Sequence, residues 1–206
     1  MMSGIKERHK DKESTDMRRL LLTLLICMAV VPAAKASEEA RVSGRFLLTD
    51  MNGRTVTDEM YRGRIRLVTF GYTFCPDICP TVLNTLSVVL DHLGADRTKV
   101  ATLFISVDPE RDTPAHLKEY LNAFPDITGL SGTPEQVAAA ARNFKVRYER
   151  QKPEGDDSRA YAVDHSASIY IMDREGNFLA KMPHMSAPDR VADRVRSYLA
   201  PVKAGE

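Results

Sequence analysis

The sequence predicts an α/β fold in which one mixed sheet has helices on both faces. Buried, β-branched runs at residues 65–72 and 100–107 alternate with amphipathic helical patterns, and such alternation indicates parallel strands joined by helices. Farther along the chain, two strand-like runs at residues 167–172 and 178–182 are separated by too short a turn to be parallel. The sheet is therefore expected to contain both parallel and antiparallel strands.

Length and composition are those of one ordinary globular domain. The 206 residues are 43% hydrophobic and 7% aromatic, with 11 glycines and 11 prolines, which argues against a disordered or low-complexity chain. With 29 basic and 28 acidic residues, the formal net charge is +1. Nothing in this balance predicts binding to nucleic acid, so no nucleic-acid partner is expected.

The first 36 residues have the pattern of an export signal. A basic start at residues 17–19 precedes an apolar run at residues 20–31 and a small-residue cleavage pattern that ends at Ala36. Residues 1–36 are predicted to be a signal peptide with an upstream extension, and residues 37–206 a thioredoxin-like domain in the periplasm. If the apolar run is not cleaved, it would instead anchor the domain in the inner membrane.

The domain is predicted to begin with a β-hairpin. Residues 42–50 and 54–57 are β-prone and flank Asn52-Gly53, a dipeptide typical of tight hairpin turns. The buried strand at residues 65–72 follows, and a helical pattern then runs as far as Gly94, a residue type that suits a helix end. The apolar positions of that helix recur with helical spacing: Val82, Leu83, Leu86, Val89, Leu90 and Leu93.

Two further strand–helix units are expected. After the strand at residues 100–107, Asp112 and Thr113 are predicted to share the capping of a helix that starts with Pro114. A short strand at residues 127–130 leads to a capping-box pattern at residues 133–136, which starts a helix that runs through residue 144.

The rest of the chain is predicted to complete the sheet. A charged stretch at residues 149–159 is expected to be a solvated loop. The antiparallel strand pair comes next, followed by a helix over residues 186–199. The predicted architecture is a thioredoxin-like mixed sheet with an N-terminal β-hairpin addition.

Cys75 and Cys79 are predicted where a strand ends and a helix begins, and the third cysteine, Cys27, lies in the export signal. A helix N-terminus stabilises thiolates, and the carboxyl edge of an α/β sheet is where such folds place their chemistry. A disulfide over so short an interval is a poor structural staple, because the entropy it removes grows with loop length. The pattern leaves a structural disulfide, a redox-active pair and a metal-binding pair as alternatives.

His165 is a candidate third member of this site. It stands just before the strand at residues 167–172, which in such a sheet would lie beside the strand that leads to Cys75 and Cys79. Two thiolates and one imidazole suit copper, particularly Cu(I), whereas tetrahedral zinc would need a fourth ligand. The ligand types alone leave copper and zinc open.

Three segments carry a specific resemblance to a known family. They are FGYTFCPDICP at residues 70–80, ISVDPERDTP at residues 105–114 and DHSA at residues 164–167. In order and separation they resemble the Sco/SenC family of copper-binding, thioredoxin-like proteins, over residues 43–199. The resemblance implies that copper is held by Cys75, Cys79 and His165. It also implies a role in assembly of the binuclear copper centre of cytochrome c oxidase, with the copper-bearing subunit of that oxidase as partner.

Other residues near these motifs are secondary candidates. The resemblance gives Asp108 a supporting role beside the metal ligands, and a turn or helix cap is the alternative. Asp164 could orient His165 by accepting its free ring N–H, or could be a turn residue at the strand edge. The run Met182-Pro183-His184-Met185 contains copper-type donors, but packing and a turn explain it better.

Two functions from different classes follow from the sequence. The first is a copper metallochaperone, which is not an enzyme and delivers copper to cytochrome c oxidase. The alternative is a periplasmic thiol-disulfide oxidoreductase, in which Cys75 and Cys79 exchange with a partner's cysteines and no histidine is needed. A peroxiredoxin-like peroxidase ranks last, because Thr73 is one residue too close to Cys75 for that pattern.

Overall fold

The computed structural model describes residues 42–152 and 160–200. The predicted export signal at residues 1–36 lies outside the described residues, as does the part of the charged stretch at residues 153–159. The export signal therefore stays a prediction.

The described residues form strands and helices in alternation. The strands are β1 (Leu47–Asp50), β2 (Thr55–Thr57), β3 (Ile65–Gly71), β4 (Val100–Ser106), β5 (Ile127–Ser131), β6 (Tyr148–Arg150), β7 (Val163–His165), β8 (Ser168–Met172) and β9 (Phe178–Pro183). The α-helices are α1 (Ile78–Leu93), α2 (Pro114–Tyr120), α3 (Pro134–Phe144) and α4 (Pro188–Leu199). Short 3-10 helices lie at Asp58–Tyr61, Gly94–Lys99 and Leu121–Ala123.

Seven of the described strands form one mixed sheet in the order β2-β1-β5-β4-β3-β8-β9. β3, β4 and β5 run parallel to one another, whereas β8 is antiparallel to β3 and β9 is antiparallel to β8. The hairpin of β1 and β2 extends the sheet beyond β5. The predicted α/β class is confirmed, with its mixed thioredoxin-like sheet and its hairpin addition.

The centre of the sheet is covered on both faces. Every residue of β3, β4 and β8 is buried. Continuous burial of a central strand requires helices on both sides of the sheet. α1 and α4 pack against each other and α4 contacts β3, while α2 packs on β5 and α3 packs on β1.

The helix ends follow the capping signals of the sequence. At the start of α3, Thr133 Oγ1 accepts a hydrogen bond from Gln136 N–H, and Gln136 Oε1 accepts one from Thr133 N–H. α1 ends at Leu93, and the next residue, Gly94, has a φ of +57°, a conformation that favours glycine. α4 starts at Pro188, two residues later than predicted, because Ser186 N–H closes a turn back to the end of β9.

The carboxyl ends of β3 and β4 and the start of β8 meet at one edge of the sheet. Gly71 at the end of β3 pairs with Ser106 at the end of β4, and Thr69 in β3 pairs with Ile169 in β8. The predicted position of β8 beside β3 is thus confirmed. Because of this register, the loops that follow β3 and β4 lie beside the residues that precede β8.

The region around residue 150 differs from its prediction. β6 and β7 form a separate two-stranded antiparallel ribbon, in which Tyr148 pairs with His165. Glu149 and Arg150 therefore belong to a strand, and their predicted assignment to a solvated loop is wrong. The pairing was not visible in the sequence, because two three-residue strands are too short to show a periodic pattern.

Candidate metal centre

Cys75 and Cys79 lie on either side of the start of α1. Cys75 is in the loop after β3, where its N–H donates a hydrogen bond of 3.2 Å to the Tyr72 carbonyl. Cys79 is the second residue of α1. Both are free thiols, 8% and 3% exposed, and Cys75 is close enough to Cys79 to help raise the pKa of the Cys79 thiol. One loop and one helical turn therefore bring the two sulfurs together.

Cys79 contacts both of the other predicted ligands. Its Sγ lies 3.6 Å from Nε2 of His165, in addition to its contact with Cys75. Burial raises the pKa of the Cys79 thiol by more than a hydrogen bond from the Tyr72 backbone lowers it. Cys79 is consequently a protonated thiol at neutral pH, and a metal ion has to displace that proton in order to bind.

His165 is held through its other ring nitrogen. Nδ1 lies 3.0 Å from the Val163 carbonyl oxygen, and the Tyr72 ring packs edge-on at 5.6 Å between ring centroids. We assign the proton to Nδ1, because that nitrogen faces an acceptor. The lone pair of Nε2 then points toward Cys79, as a metal ligand requires.

The hydrogen-bond partner of Asp164 is Gln151, and not the ring N–H of His165 that was one of the two roles considered for it. Its carboxylate accepts a hydrogen bond of 2.7 Å from Gln151 Nε2, while the Val163 carbonyl takes the position at His165 Nδ1. The reason is the alternation of side chains along a strand, which turns residue 164 away from the face that carries residues 163 and 165.

Within the described residues, no three His, Cys, Asp or Glu side chains lie close enough together to hold a metal ion. The contacts among the three predicted ligands all run through Cys79. Two thiols and one imidazole nevertheless have the chemistry of a soft-metal site. To complete it, Cys75 and His165 have to approach a common point beside Cys79.

Asp112 anchors the loop that carries the first cysteine. It is fully buried, and its carboxylate accepts hydrogen bonds from the Thr73 hydroxyl at 2.6 Å, the Thr73 N–H at 3.1 Å and the Ser106 hydroxyl at 2.5 Å. Burial raises the pKa of Asp112, and these hydrogen bonds offset part of the increase. The prediction that Asp112 caps α2 is wrong, because the Thr113 hydroxyl accepts the hydrogen bond from His116 N–H.

Asp108 lies in the loop after β4 and is 4% exposed. Its carboxylate forms an ion pair with Arg111 and accepts a hydrogen bond of 2.7 Å from the Tyr161 hydroxyl. Tyr161 lies two residues before β7. Asp108 is thereby connected to the segment of chain that carries His165.

The run at residues 182–185 lies at the same edge of the sheet as the cysteines, because Pro183 pairs with Ser168. Met182 is partly buried against the core, and Met185 is 81% exposed. Ser186 N–H bonds the Pro183 carbonyl in a turn. Core packing and a turn account for this run.

Gly71 makes room for the sulfur of Cys79. A β-carbon at residue 71 would lie 2.5 Å from Cys79 Sγ and 2.7 Å from the Phe104 ring, closer than real contacts allow. The end of β3 can therefore approach the start of α1 only with glycine at this position. The sequence does not reveal this requirement, because a single glycine within an apolar run shows nothing of what packs against it.

Gly71→Ala is expected to displace the Cys79 sulfur and to lower the free energy of unfolding by about 1–3 kcal/mol, the usual cost of overpacking. Chemical denaturation measures the stability, and alkylation of Cys79 is expected to accelerate as its sulfur becomes exposed. Gly53→Ala is the control, since its φ of +78° makes alanine strained although no other atom lies within 4 Å. If both variants leave Cys79 alkylation unchanged, Gly71 has no role at the sulfur.

Comparison with known proteins relates the whole domain to one family. Residues 34–200 match the family model SCO1/SenC. Protein SenC of Rhodobacter capsulatus is 39% identical over 164 residues, which cover 79% of this chain and 73% of that protein. Bradyrhizobium japonicum ScoI, solved with copper bound, is 44% identical with a TM-score of 0.70, over 76% of this chain and 99% of that chain.

A second similar structure is that of BsSco, described as a member of the Sco family of cytochrome c oxidase assembly proteins with a disulfide switch. It is 26% identical with a TM-score of 0.61, over 77% of this chain and 93% of that chain. Sequence and fold thus point to the same group of proteins.

Proposed function

The chain belongs to the SCO1/SenC family, and we propose that it is a copper metallochaperone. Copper is held by Cys75, Cys79 and His165 and is passed to the copper centre of cytochrome c oxidase. The observation that carries the proposal is the 3.6 Å approach of His165 Nε2 to Cys79 Sγ, between residues 86 positions apart. A copper site of two sulfurs and one nitrogen needs an imidazole at the thiol pair, whereas thiol-disulfide exchange requires only the two thiols.

The donor set favours copper as the cargo. Two thiolates and one imidazole can satisfy Cu(I), while zinc prefers four ligands. The similar ScoI structure from Bradyrhizobium japonicum contains copper, which supports the same choice here.

The surface around the cysteines suits contact with a protein partner. Phe74 and Ile78 are large apolar residues, 53% and 37% exposed, on either side of the thiol loop. Beside them lies a cavity of about 1430 Å³, whose lining includes Tyr72 and Pro76. Exposed apolar groups next to a reactive site indicate a docking surface. We assign it to the copper-bearing subunit of a terminal oxidase, which would approach the ligands directly.

The proposed place of action is the periplasm. The predicted signal at residues 1–36 would export the domain at residues 37–206, and an uncleaved signal would hold it at the inner membrane on the same side. This compartment is oxidising, so the thiol pair needs a thiol-disulfide exchange partner to stay reduced.

A thiol-disulfide oxidoreductase is the second candidate. The proximity of Cys75 and Cys79 favours it, and the disulfide switch of BsSco is consistent with it. The raised pKa of Cys79 makes this thiol a poor nucleophile at neutral pH. Cys75 would therefore have to attack the partner's disulfide, and Cys79 would resolve the mixed disulfide.

Direct transfer of copper tests the leading proposal. Protein loaded with Cu(I) is mixed with the copper-free soluble domain of the oxidase subunit, the two are separated, and copper in each is measured. We expect copper to move to the acceptor, and Cys75→Ser protein to load and transfer little. Copper that stays on the donor, or equal loading of the Cys75→Ser variant, would contradict the proposal.

A further inference from the structure

The proposed copper ligands come from two parts of the chain that are held in different ways. Cys75 and Cys79 share one loop and one helical turn, whereas His165 enters 86 positions after Cys79. His165 ends β7, which pairs with β6 in a ribbon separate from the main sheet. The thiol pair is thus a local structure, while the place of the imidazole depends on what fixes this ribbon.

Tyr161, just before β7, is fixed by contacts of three kinds. Its hydroxyl donates a hydrogen bond of 2.7 Å to Asp108, and its carbonyl accepts one of 2.9 Å from Arg111 Nη1. The guanidinium groups of Arg111 and Arg150 each lie 3.6 Å from the centroid of the Tyr161 ring. Tyr161 is only 7% exposed, so these contacts are shielded from water. Polar and cation–π interactions are stronger in such a desolvated environment than in water.

The same loop, residues 108–112, holds the cysteine side of the site. Asp112 accepts hydrogen bonds from the N–H and the hydroxyl of Thr73, two residues before Cys75. The Arg111 guanidinium lies 4.5 Å from the centroid of the Phe74 ring, which adjoins Cys75. Residues 108–112 therefore contact both the loop of the cysteines and the segment that leads to His165.

We propose that Arg111 and Tyr161 are positioning residues that set the place of His165 relative to the thiol pair. They thereby determine whether Cu(I) is held by two sulfurs alone or by two sulfurs and the imidazole. The inference rests on the proposed function, because it concerns the geometry of that copper site. Since the thiol pair is local, loss of this link removes the nitrogen ligand and leaves a two-sulfur site.

Arg111→Lys is the main test. Lysine keeps a positive charge beside buried Asp108, but it loses the planar stack and the paired hydrogen bonds of the guanidinium. X-ray absorption of the Cu(I)-loaded variant is expected to show two-coordinate, sulfur-only copper in place of a three-coordinate site. Affinity for Cu(I) is expected to fall about 10–100-fold, the usual effect of removing residues that support metal ligands. Tyr161→Phe, which loses one hydroxyl, should shift both measurements less and in the same direction.

Arg54→Lys is the matched control. Arg54 also pairs with a buried carboxylate, Asp50, which is 2% exposed, but it lies in the hairpin at the other side of the sheet. It should leave both measurements as in the wild type.

His165→Ala separates failure of the inference from failure of the proposed function. If wild-type copper is already sulfur-only and His165→Ala changes nothing, the three-ligand site itself is wrong. If His165→Ala removes the nitrogen ligand while Arg111→Lys and Tyr161→Phe retain it with wild-type affinity, the positioning role alone is overturned.

Discussion

Reduced protein is expected to bind Cu(I) more than about 100-fold more tightly than protein with a Cys75–Cys79 disulfide. Thiolates are the soft ligands that select Cu(I), and a disulfide offers none. Removing groups that merely support metal ligands costs about 10–100-fold in affinity, so losing two direct ligands should cost more. Competition with a Cu(I) chelator measures both forms, and renewed reduction of the disulfide form should restore tight binding.

The affinity of the reduced form is also expected to depend on pH. Burial raises the pKa of Cys79, so this thiol is protonated at neutral pH and copper has to displace the proton. Below the raised pKa, apparent affinity should therefore rise with pH, by about tenfold per pH unit for each proton released.

Equal retention of Cu(I) by the reduced and disulfide forms would contradict the thiolate site and would direct attention to the thioethers at residues 182–185.

Those features of the fold that depend on short stretches of sequence could be predicted. The alternation of strands and helices, the hairpin turn at Asn52-Gly53 and the capping box at Thr133 each lie within a few residues, and each is present. The position of the cysteine pair at the end of β3 was predictable for the same reason. A buried strand that runs into a helix places the intervening loop at the carboxyl edge of the sheet.

Contacts between distant residues could not be predicted in this way. Asp112 looked like a helix cap, because Asp before Thr-Pro has that local meaning, yet its carboxylate turns inward to Thr73 across 39 positions. Tyr161 lies at the end of a charged stretch, and nothing local predicts its burial between Asp108 and Arg111. The partners and the burial of such residues are determined by tertiary packing, which local sequence patterns do not reveal.

The group that orients the His165 ring also could not be predicted from the sequence. A carboxylate next in sequence to a metal-binding histidine is an obvious orienting group. In β7, however, alternation places the neighbour on the opposite face, and the carbonyl of Val163 serves instead. Prediction of this contact required the knowledge that residues 163–165 form a strand, which the sequence pattern did not give.

His165→Ala is expected to separate copper delivery from thiol reduction. The change removes the imidazole that lies 3.6 Å from Cys79 Sγ, so affinity for copper should fall by about 100-fold or more, given that loss of supporting groups alone costs about 10–100-fold. Attack on a disulfide depends on thiolate character and access, so reductase activity toward a model disulfide should change little. His116→Ala is the matched control, because His116 also lies near the cysteine loop, stacked on Phe74 at 5.3 Å between ring centroids.

In cells that depend on this protein, His165→Ala should lower assembly of cytochrome c oxidase about as much as Cys75→Ser does. The measurement is the copper content and activity of the oxidase in isolated membranes. The comparison of the histidine and cysteine variants is decisive, since both functions need the thiols and copper binding alone needs the imidazole. If His165→Ala cells assemble normal oxidase while Cys75→Ser cells do not, copper delivery fails as the function and the thiol-disulfide oxidoreductase takes its place.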